Sequence, residues 1–240
     1  MDEINKYEKL RDIILARNEQ INVTAIRDPE EFMQKNVADS LSICGIPEFE
    51  NANMVVDLGT GGGFPGLPLA IARPEKKFLL ADSVGKKLKV VEEAAKELGL
   101  LNVSTLHARA EDMGRDKAYR ERFELAISRA VADMAVLCEY CLPLVKPGGH
   151  FIAYKTIGAK DEIDAASAAI RRLGGELAYI AEPGEYFKDR FDSCAARAEE
   201  LELLPQSEET GHVLVVIKKI KNTPASYPRK AGRPSKDPIR

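Results

Sequence analysis

The sequence predicts a doubly wound α/β fold: a mostly parallel sheet with helices on both faces and a helical extension ahead of it. Three observations carry that reading. Apolar runs of five or six residues alternate with amphipathic stretches of ten to fifteen between residues 54 and 173, the rhythm of repeated strand–helix units. Residues 54–70, M-V-V-D-L-G-T-G-G-G-F-P-G-L-P-L-A, compress a strand, a glycine turn and a helix start into one stretch. Charged residues fall where the strands end, the edge at which an open parallel sheet binds its ligands.

The elements follow in order. Residues 2–18 form a helix, capped by Asp2, with Ile4, Tyr7, Leu10 and Ile14 near one stripe. A polar break, Asn18 to Asn22, precedes Asp28-Pro29-Glu30-Glu31, which has a cap, a proline at the first position and a glutamate three residues after the cap. Phe32, Val37 and Leu41 share a face of that second helix, and Gly45 stops it. Strands follow at 54–58, 77–81, 103–107, 123–127 and 150–155. Helices lie between them at 84–98, stopped by Gly99, and at 133–142, with a third at 160–173. The charged stretch 111–122 is a weak helix or a loop. Two further strands are expected at 176–180 and 212–220. Pro224, Pro228, Pro234 and Pro238 predict an extended tail from Asn222. The expected organisation is a helical extension over 1–48, the α/β domain over 49–221 and a basic tail over 222–240.

Composition bounds the function. With 240 residues, 45% hydrophobic and 30% charged, the chain has the make-up of a globular protein. No apolar run approaches the roughly 20 residues of a membrane span. The start, M-D-E-I-N-K-Y, is acidic and polar rather than signal-like, so the cytoplasm is the expected compartment. Cys138-x-x-Cys141 has no second pair and lies in an amphipathic stretch, which reads as two core residues one helical turn apart. His107, His150 and His212 fall in strands, and no metal-ligand spacing appears. The net charge of −3 hides an asymmetry: residues 218–240 carry eight basic residues against Asp237 alone. That predicts a polyanionic partner at one edge, in competition with a merely solubilising tail.

The glycine turn is the candidate ligand site. Gly59, Gly61, Gly62 and Gly63 let backbone approach a ligand closely. Asp57, just before the turn, opposes the anionic pyrophosphate of a dinucleotide and suits the sulfonium and ammonium of S-adenosylmethionine. Gly61, Gly63 and Gly66 also satisfy G-x-G-x-x-G, so the dinucleotide frame stays open at this point. Asp82, 23 residues beyond Gly59, stands where a carboxylate can accept from both ribose hydroxyls. Ala110 and Glu111 follow the third strand and can address an adenine edge. Arg129 follows the fourth, beside the reaction centre. Each has a plainer alternative: a surface turn residue for Asp82, a helix cap for Glu111, pairing with Asp133 for Arg129.

These segments, V-D-L-G-T-G-G-G-F-P-G-L-P-L-A, A-D-S-V-G-K-K, R-A-E-D and I-S-R-A-V-A, resemble the bacterial small-subunit rRNA guanine-N7 methyltransferases, also called glucose-inhibited division protein B. The resemblance extends to N-V-T-A-I-R-D-P-E-E-F, L-P-L-V-K-P-G-G-H-F-I-A-Y-K and Y-P-R-K-A-G-R-P-S-K-D-P-I, nearly the whole chain. It implies a Rossmann-like class I methyltransferase sheet, S-adenosylmethionine as donor, and N7 of a guanine in 16S rRNA or the small ribosomal subunit as acceptor. It also implies that Gly59, Gly61, Phe64, Ala110, Glu111 and Arg129 contact the cofactor, with Asp82 at its ribose. Lys155 and the tail residues Arg229, Lys230 and Lys236 are the expected RNA contacts. No metal and no general base are implied, since guanine N7 carries no proton. Asn36 stands where many relatives have histidine. The alternative function is an S-adenosylmethionine-dependent methyltransferase acting on a small molecule or a protein.

Overall fold

The computed structural model describes residues 3–129, 132–156, 158–181 and 212–240. Asp2, Cys194 and the side chain of Ile4 lie outside the described residues. The chain opens with α1 (Glu3–Asn18), α2 (Pro29–Phe32), a π-helical turn at Met33–Ala38, α3 (Asp39–Leu41) and α4 (Pro47–Glu50). Then come β1 (Met54–Leu58), α5 (Gly66–Ala72), β2 (Lys77–Asp82), α6 (Gly85–Glu97), β3 (Val103–His107) and α7 (Ala110–Met113). The second half holds β4 (Phe123–Arg129), α8 (Met134–Cys141), β5 (Val145–Thr156), α9 (Lys160–Ala165), α10 (Ser167–Arg172), β6 (Gly175–Ala181), β7 (His212–Lys219) and α11 (Arg233–Lys236).

The sheet order is β3-β2-β1-β4-β5-β7-β6. The pairs from β3 to β5 are parallel, and β7 runs antiparallel between β5 and β6. From β1 the chain winds outward through β2 and β3, then returns to β4 on the other side of β1. The strand ends splay at that reversal, which opens a crevice beyond β1 and β4.

Both sheet faces are covered, so each strand divides its side chains between two cores. In β5, Ile152 and Tyr154 join the core under α1, α5 and α6, while Phe151 and Ala153 join the core under α8 to α10. The N-terminal extension shares the first core: Tyr7, Leu10, Ile14 and Phe32 pack with Val55 and Leu80. Its polar break is ordered by Asn18, which is 6% exposed. Asn18 accepts from the N–H groups of Val23 and Thr24 and donates to the Thr24 carbonyl, a local turn with no free polar group left on that side chain. Asp28 caps the second helix through the Glu31 N–H, as its sequence predicts. Cys138 and Cys141 are buried in the second core, and burial pushes both thiols up, away from metal or redox chemistry.

The tail departs from expectation. It does not extend away from the domain. Arg120 donates to the carbonyls of Thr223, Pro224 and Tyr227, and Arg115 to that of Pro228. Pro228 lies against Gly114, where an added Cβ would stand 2.7 Å from its ring. Lys219 is buried, held by Thr223 Oγ1 and the Leu142 carbonyl, and burial pushes its amine down to about 8. Ile239 joins the second core. The prolines remove backbone donors rather than keep the chain apart, and two arginines supply the donors that its carbonyls need.

Candidate active site

A cavity of about 540 Å³ opens at the C-terminal ends of β1, β2, β3 and β4. It gathers Gly59, Gly61, Phe64, Asp82, Ala110, Glu111 and Arg129, the whole set of cofactor residues expected from the sequence. Lys155, Arg229, Lys230 and Lys236 are not in its walls.

The glycine turn is held from both sides. From below, Asp57 accepts the Thr60 hydroxyl at 2.6 Å and the Gly66 N–H at 2.9 Å. Asp57 is fully buried, and burial pushes its carboxyl up to about 6. Its Oδ1 makes no hydrogen bond. Asp57 is thus a prop beneath the turn and not a wall of the cavity, which corrects its reading as a charge facing the ligand. From above, Asp82 accepts the Gly61 N–H and the Val84 N–H, each at 2.8 Å. One carboxylate therefore clamps the glycine turn to the β2 exit. The dinucleotide frame also resolves. A Cβ on Gly63 would strike Leu67 at 2.4 Å and one on Gly66 would strike Leu80 at 2.5 Å, so those glycines serve packing. Gly61 lies on the cavity at φ +57°, with only the Gly59 carbonyl within 4.0 Å of an added Cβ. Bare backbone there leaves room for a ligand.

At the opposite wall stands Arg129. Its Nη1 lies 2.7 Å from Asp39 Oδ2 and also donates to the Lys35 carbonyl, while Nη2 donates to Asn36 Oδ1 at 3.1 Å. Its guanidinium sits over the Phe64 ring, 5.6 Å from the centroid, and Phe64 meets Phe32 edge-on at 5.5 Å. Pairing with Asp133 does not occur; Asp133 caps α8 through the Ala135 N–H. Asp39 also contacts His212 Nδ1 at 2.5 Å, and His212 Nε2 lies 3.1 Å from Ser42 Oγ. Burial alone would raise the Asp39 carboxyl, but the His212 hydrogen bond and the His212 and Arg129 charges outweigh it and hold it below the usual range. Arg129 is thereby fixed by three residues of one short segment, 35–39.

Sequence reasoning singled out Asn36 without a role for it and missed the other residues that complete the cavity walls. Thr24 and Asn36 line the cavity, and Asn36 Nδ2 reaches Thr24 Oγ1 at 3.4 Å. Asn36 lies in the π-helical turn, a widening that often marks a functional position. Tyr140, Gly232 and Ser235 line the cavity at the other end. Two expected RNA contacts are engaged inside the chain. Lys155 lies 2.6 Å from Glu162 Oε1 and donates to the Ala132 carbonyl. Arg229 binds Glu139. Lys230 and Lys236 stay exposed.

Comparison with known proteins decides the family. The family model of rRNA small subunit methyltransferase G matches residues 3–185. The chain belongs to this family. A ribosomal RNA small subunit methyltransferase G of Alkaliphilus oremlandii is 43% identical over 239 residues, 99% of this chain and 91% of that one. One of Clostridium tetani is 40% identical over 236 residues, 98% of this chain and 90% of that one. At the level of fold, the chain is similar to the O-methyltransferase of a trans-AT polyketide synthase multienzyme from Brevibacillus brevis, solved with S-adenosyl-L-homocysteine. That similarity has a TM-score of 0.53 at 11% identity, covering 84% of this chain and 79% of that one. That likeness is one of fold: this chain's seven-stranded mixed sheet with flanking helices is of the Rossmann-like class I methyltransferase type.

Proposed function

We propose that the protein transfers a methyl group from S-adenosylmethionine to N7 of a guanine in 16S rRNA, in the bacterial cytoplasm. The observation that carries this reading is the cavity itself: a glycine turn, a clamping carboxylate and a buttressed arginine at the reversal of the sheet, in a chain of the methyltransferase G family. The donor set fits the cofactor. Gly61 offers open backbone, and Asp82 offers acceptor oxygens suited to ribose hydroxyls. Gly59, Gly61, Phe64, Asp82, Ala110, Glu111 and Arg129 would hold it.

When bound, the cofactor supplies an electrophilic methyl on a sulfonium. Guanine N7 presents an in-plane lone pair and no proton, so the chain need not supply a base. Its work is proximity, alignment and charge. Phe64 and Arg129 form a stacked wall at the acceptor end. The methylated ring is cationic, and a free guanidinium beside it would oppose its formation. Asp39 neutralises Arg129 at 2.7 Å, which leaves the guanidinium as an orienting donor rather than a bare charge. Asn36 and Thr24, which line the same cavity, would meet the base beside Arg129. N7 lies in the deep, narrow major groove of A-form RNA, so the target guanine must be unpaired or extruded. Lys230 and Lys236 are exposed cations near that mouth, on the segment that contributes Gly232 and Ser235 to the cavity.

The test is mapping of 7-methylguanine in 16S rRNA from cells with and without the gene, followed by methylation of the unmodified RNA by purified protein. Loss of one modified guanine on deletion, restored in vitro, is the expected result. Unchanged 16S rRNA would overturn the reading.

A further inference from the structure

We propose that the C-terminal segment 228–239 is a fixed wall of the cofactor cavity, and that the Tyr140–Ser235 hydroxyl pair contacts the adenosyl end of the bound cofactor. Four observations point there. Gly232 and Ser235 line the same cavity as Asp82, Ala110 and Glu111. Ser235 Oγ lies 2.8 Å from Tyr140 OH, and both residues face that cavity. The Gly232 N–H donates to Glu111 Oε1 at 2.8 Å, so a carboxylate expected to face the ligand grips the tail as well. Behind this wall, Arg229 is locked onto Glu139, a carboxylate only 1% exposed, through Nε, Nη2 and its own backbone N–H.

The chemistry follows from the placement. The cavity extends from Arg129 and Asn36, at the acceptor end, to α7 and the tail beyond β3. Asp82 lies at the end of β2, between them, where ribose is expected. The base of the nucleoside then occupies the end walled by Ala110, Tyr140 and Ser235. A purine edge there presents both donors and acceptors. Two coupled hydroxyls can each donate or accept, so the pair adapts to that edge without a charge. An RNA arm, by contrast, needs its polar atoms free, and the inner side of this segment is committed to Glu111, Glu139 and Tyr140.

The inference rests on reading the cavity as the S-adenosylmethionine site, and its test separates the two. Calorimetric titration with S-adenosylhomocysteine is performed on the full-length protein, on Ser235→Trp, on the double variant Tyr140→Phe with Ser235→Ala, and on Asp82→Ala. Ser235 is exposed, so its replacement leaves the core intact, which circular dichroism and a melting curve verify. The expected result is at least tenfold weaker binding for Ser235→Trp, whose indole would occupy the base end, and a several-fold loss for the double variant. If Asp82→Ala loses affinity while both tail variants stay within twofold of the wild type, the cavity holds the cofactor but the tail is not its wall, and the proposal falls alone. If the wild type itself binds no S-adenosylhomocysteine, the cofactor reading of the cavity falls and takes this inference with it.

Discussion

Arg229 grips Glu139 through Nε and Nη2, at 3.0 and 2.7 Å, and adds its own backbone N–H at 2.7 Å. Glu139 lies on a helix otherwise made of apolar residues and is 1% exposed, and Arg229 is the cation paired with it. Removing one member of a buried pair leaves an uncompensated charge, which costs about 3–5 kcal/mol. Arg229→Ala should therefore destabilise the protein by about that much in urea denaturation. Adding Glu139→Leu to it should recover a large part, because the orphaned carboxylate goes too. A single Arg229→Ala cost below about 1 kcal/mol would show a solvated pair of ordinary surface strength.

Asp82 holds the glycine turn to the β2 exit by two backbone bonds of 2.8 Å. Asp82→Ala should weaken S-adenosylmethionine binding by about 1.5–3 kcal/mol, the scale of hydrogen bonds to a charged group. Asp82→Asn keeps one acceptor and should fall between. Calorimetry on the folded variants decides the order, and equal affinity for all three would remove Asp82 from the site.

Strands and helices were readable because each carries its own periodicity, and Gly59, Asp82 and Arg129 because each stands at the ligand-binding end of a strand. The Arg129–Asp39–His212 chain was not readable. Its members come from β4, α3 and β7, and only the sheet order brings them together. The tail was misread for a related reason. Basic residues and prolines look solvated, yet the tail is held by guanidinium-to-carbonyl bonds from Arg115 and Arg120, which leave no pattern in the tail itself.

Asp39 is the second partner to test. With Asp39→Asn, Arg129 loses its neutralising charge but keeps the Asn36 and Lys35 contacts. Methyl transfer should fall about ten- to a hundredfold, in line with about 1.5–3 kcal/mol for a charged hydrogen bond. Arg129→Ala should fall at least as far. Single-turnover rates with saturating cofactor isolate this step from binding. Wild-type rates in both variants would place this pair outside the acceptor wall.

Asp57 sets a pH dependence of stability. Its folded-state carboxyl is raised to about 6 by burial, against an ordinary value of 3.8. The native state therefore holds this proton more tightly than the unfolded chain. The stabilising contribution is complete below about pH 4 and is lost as pH rises through about 6. Two pKa units correspond to about 3 kcal/mol. Asp57→Asn removes the ionisation, so its stability relative to wild type should improve by up to about 3 kcal/mol between about pH 4 and pH 7. Denaturant titrations across that range provide the comparison. A stability difference independent of pH would show that the Asp57 carboxyl binds its proton equally well in the folded and unfolded chain, and that burial does not raise it.

The tail still has an outward side, and it bears on RNA. Lys230 and Lys236 are exposed, while Arg229 is held by Glu139 and Asp237. Exposed lysines can neutralise phosphates and release counterions, which steepens the fall of log K with log salt by roughly 0.7–0.9 per contact. The double variant Lys230→Ala with Lys236→Ala should therefore bind 16S rRNA more weakly at low salt, with a slope shallower by roughly 1.4–1.8. Its S-adenosylhomocysteine affinity should stay at the wild-type value, because neither lysine lines the cavity. Ser235→Trp should show the reverse, with impaired cofactor binding and an unchanged salt slope. The two variants lie on one short segment, so the comparison separates its faces. An unchanged slope in the lysine variant would place the RNA contacts elsewhere on the surface and leave the segment with its inner role alone.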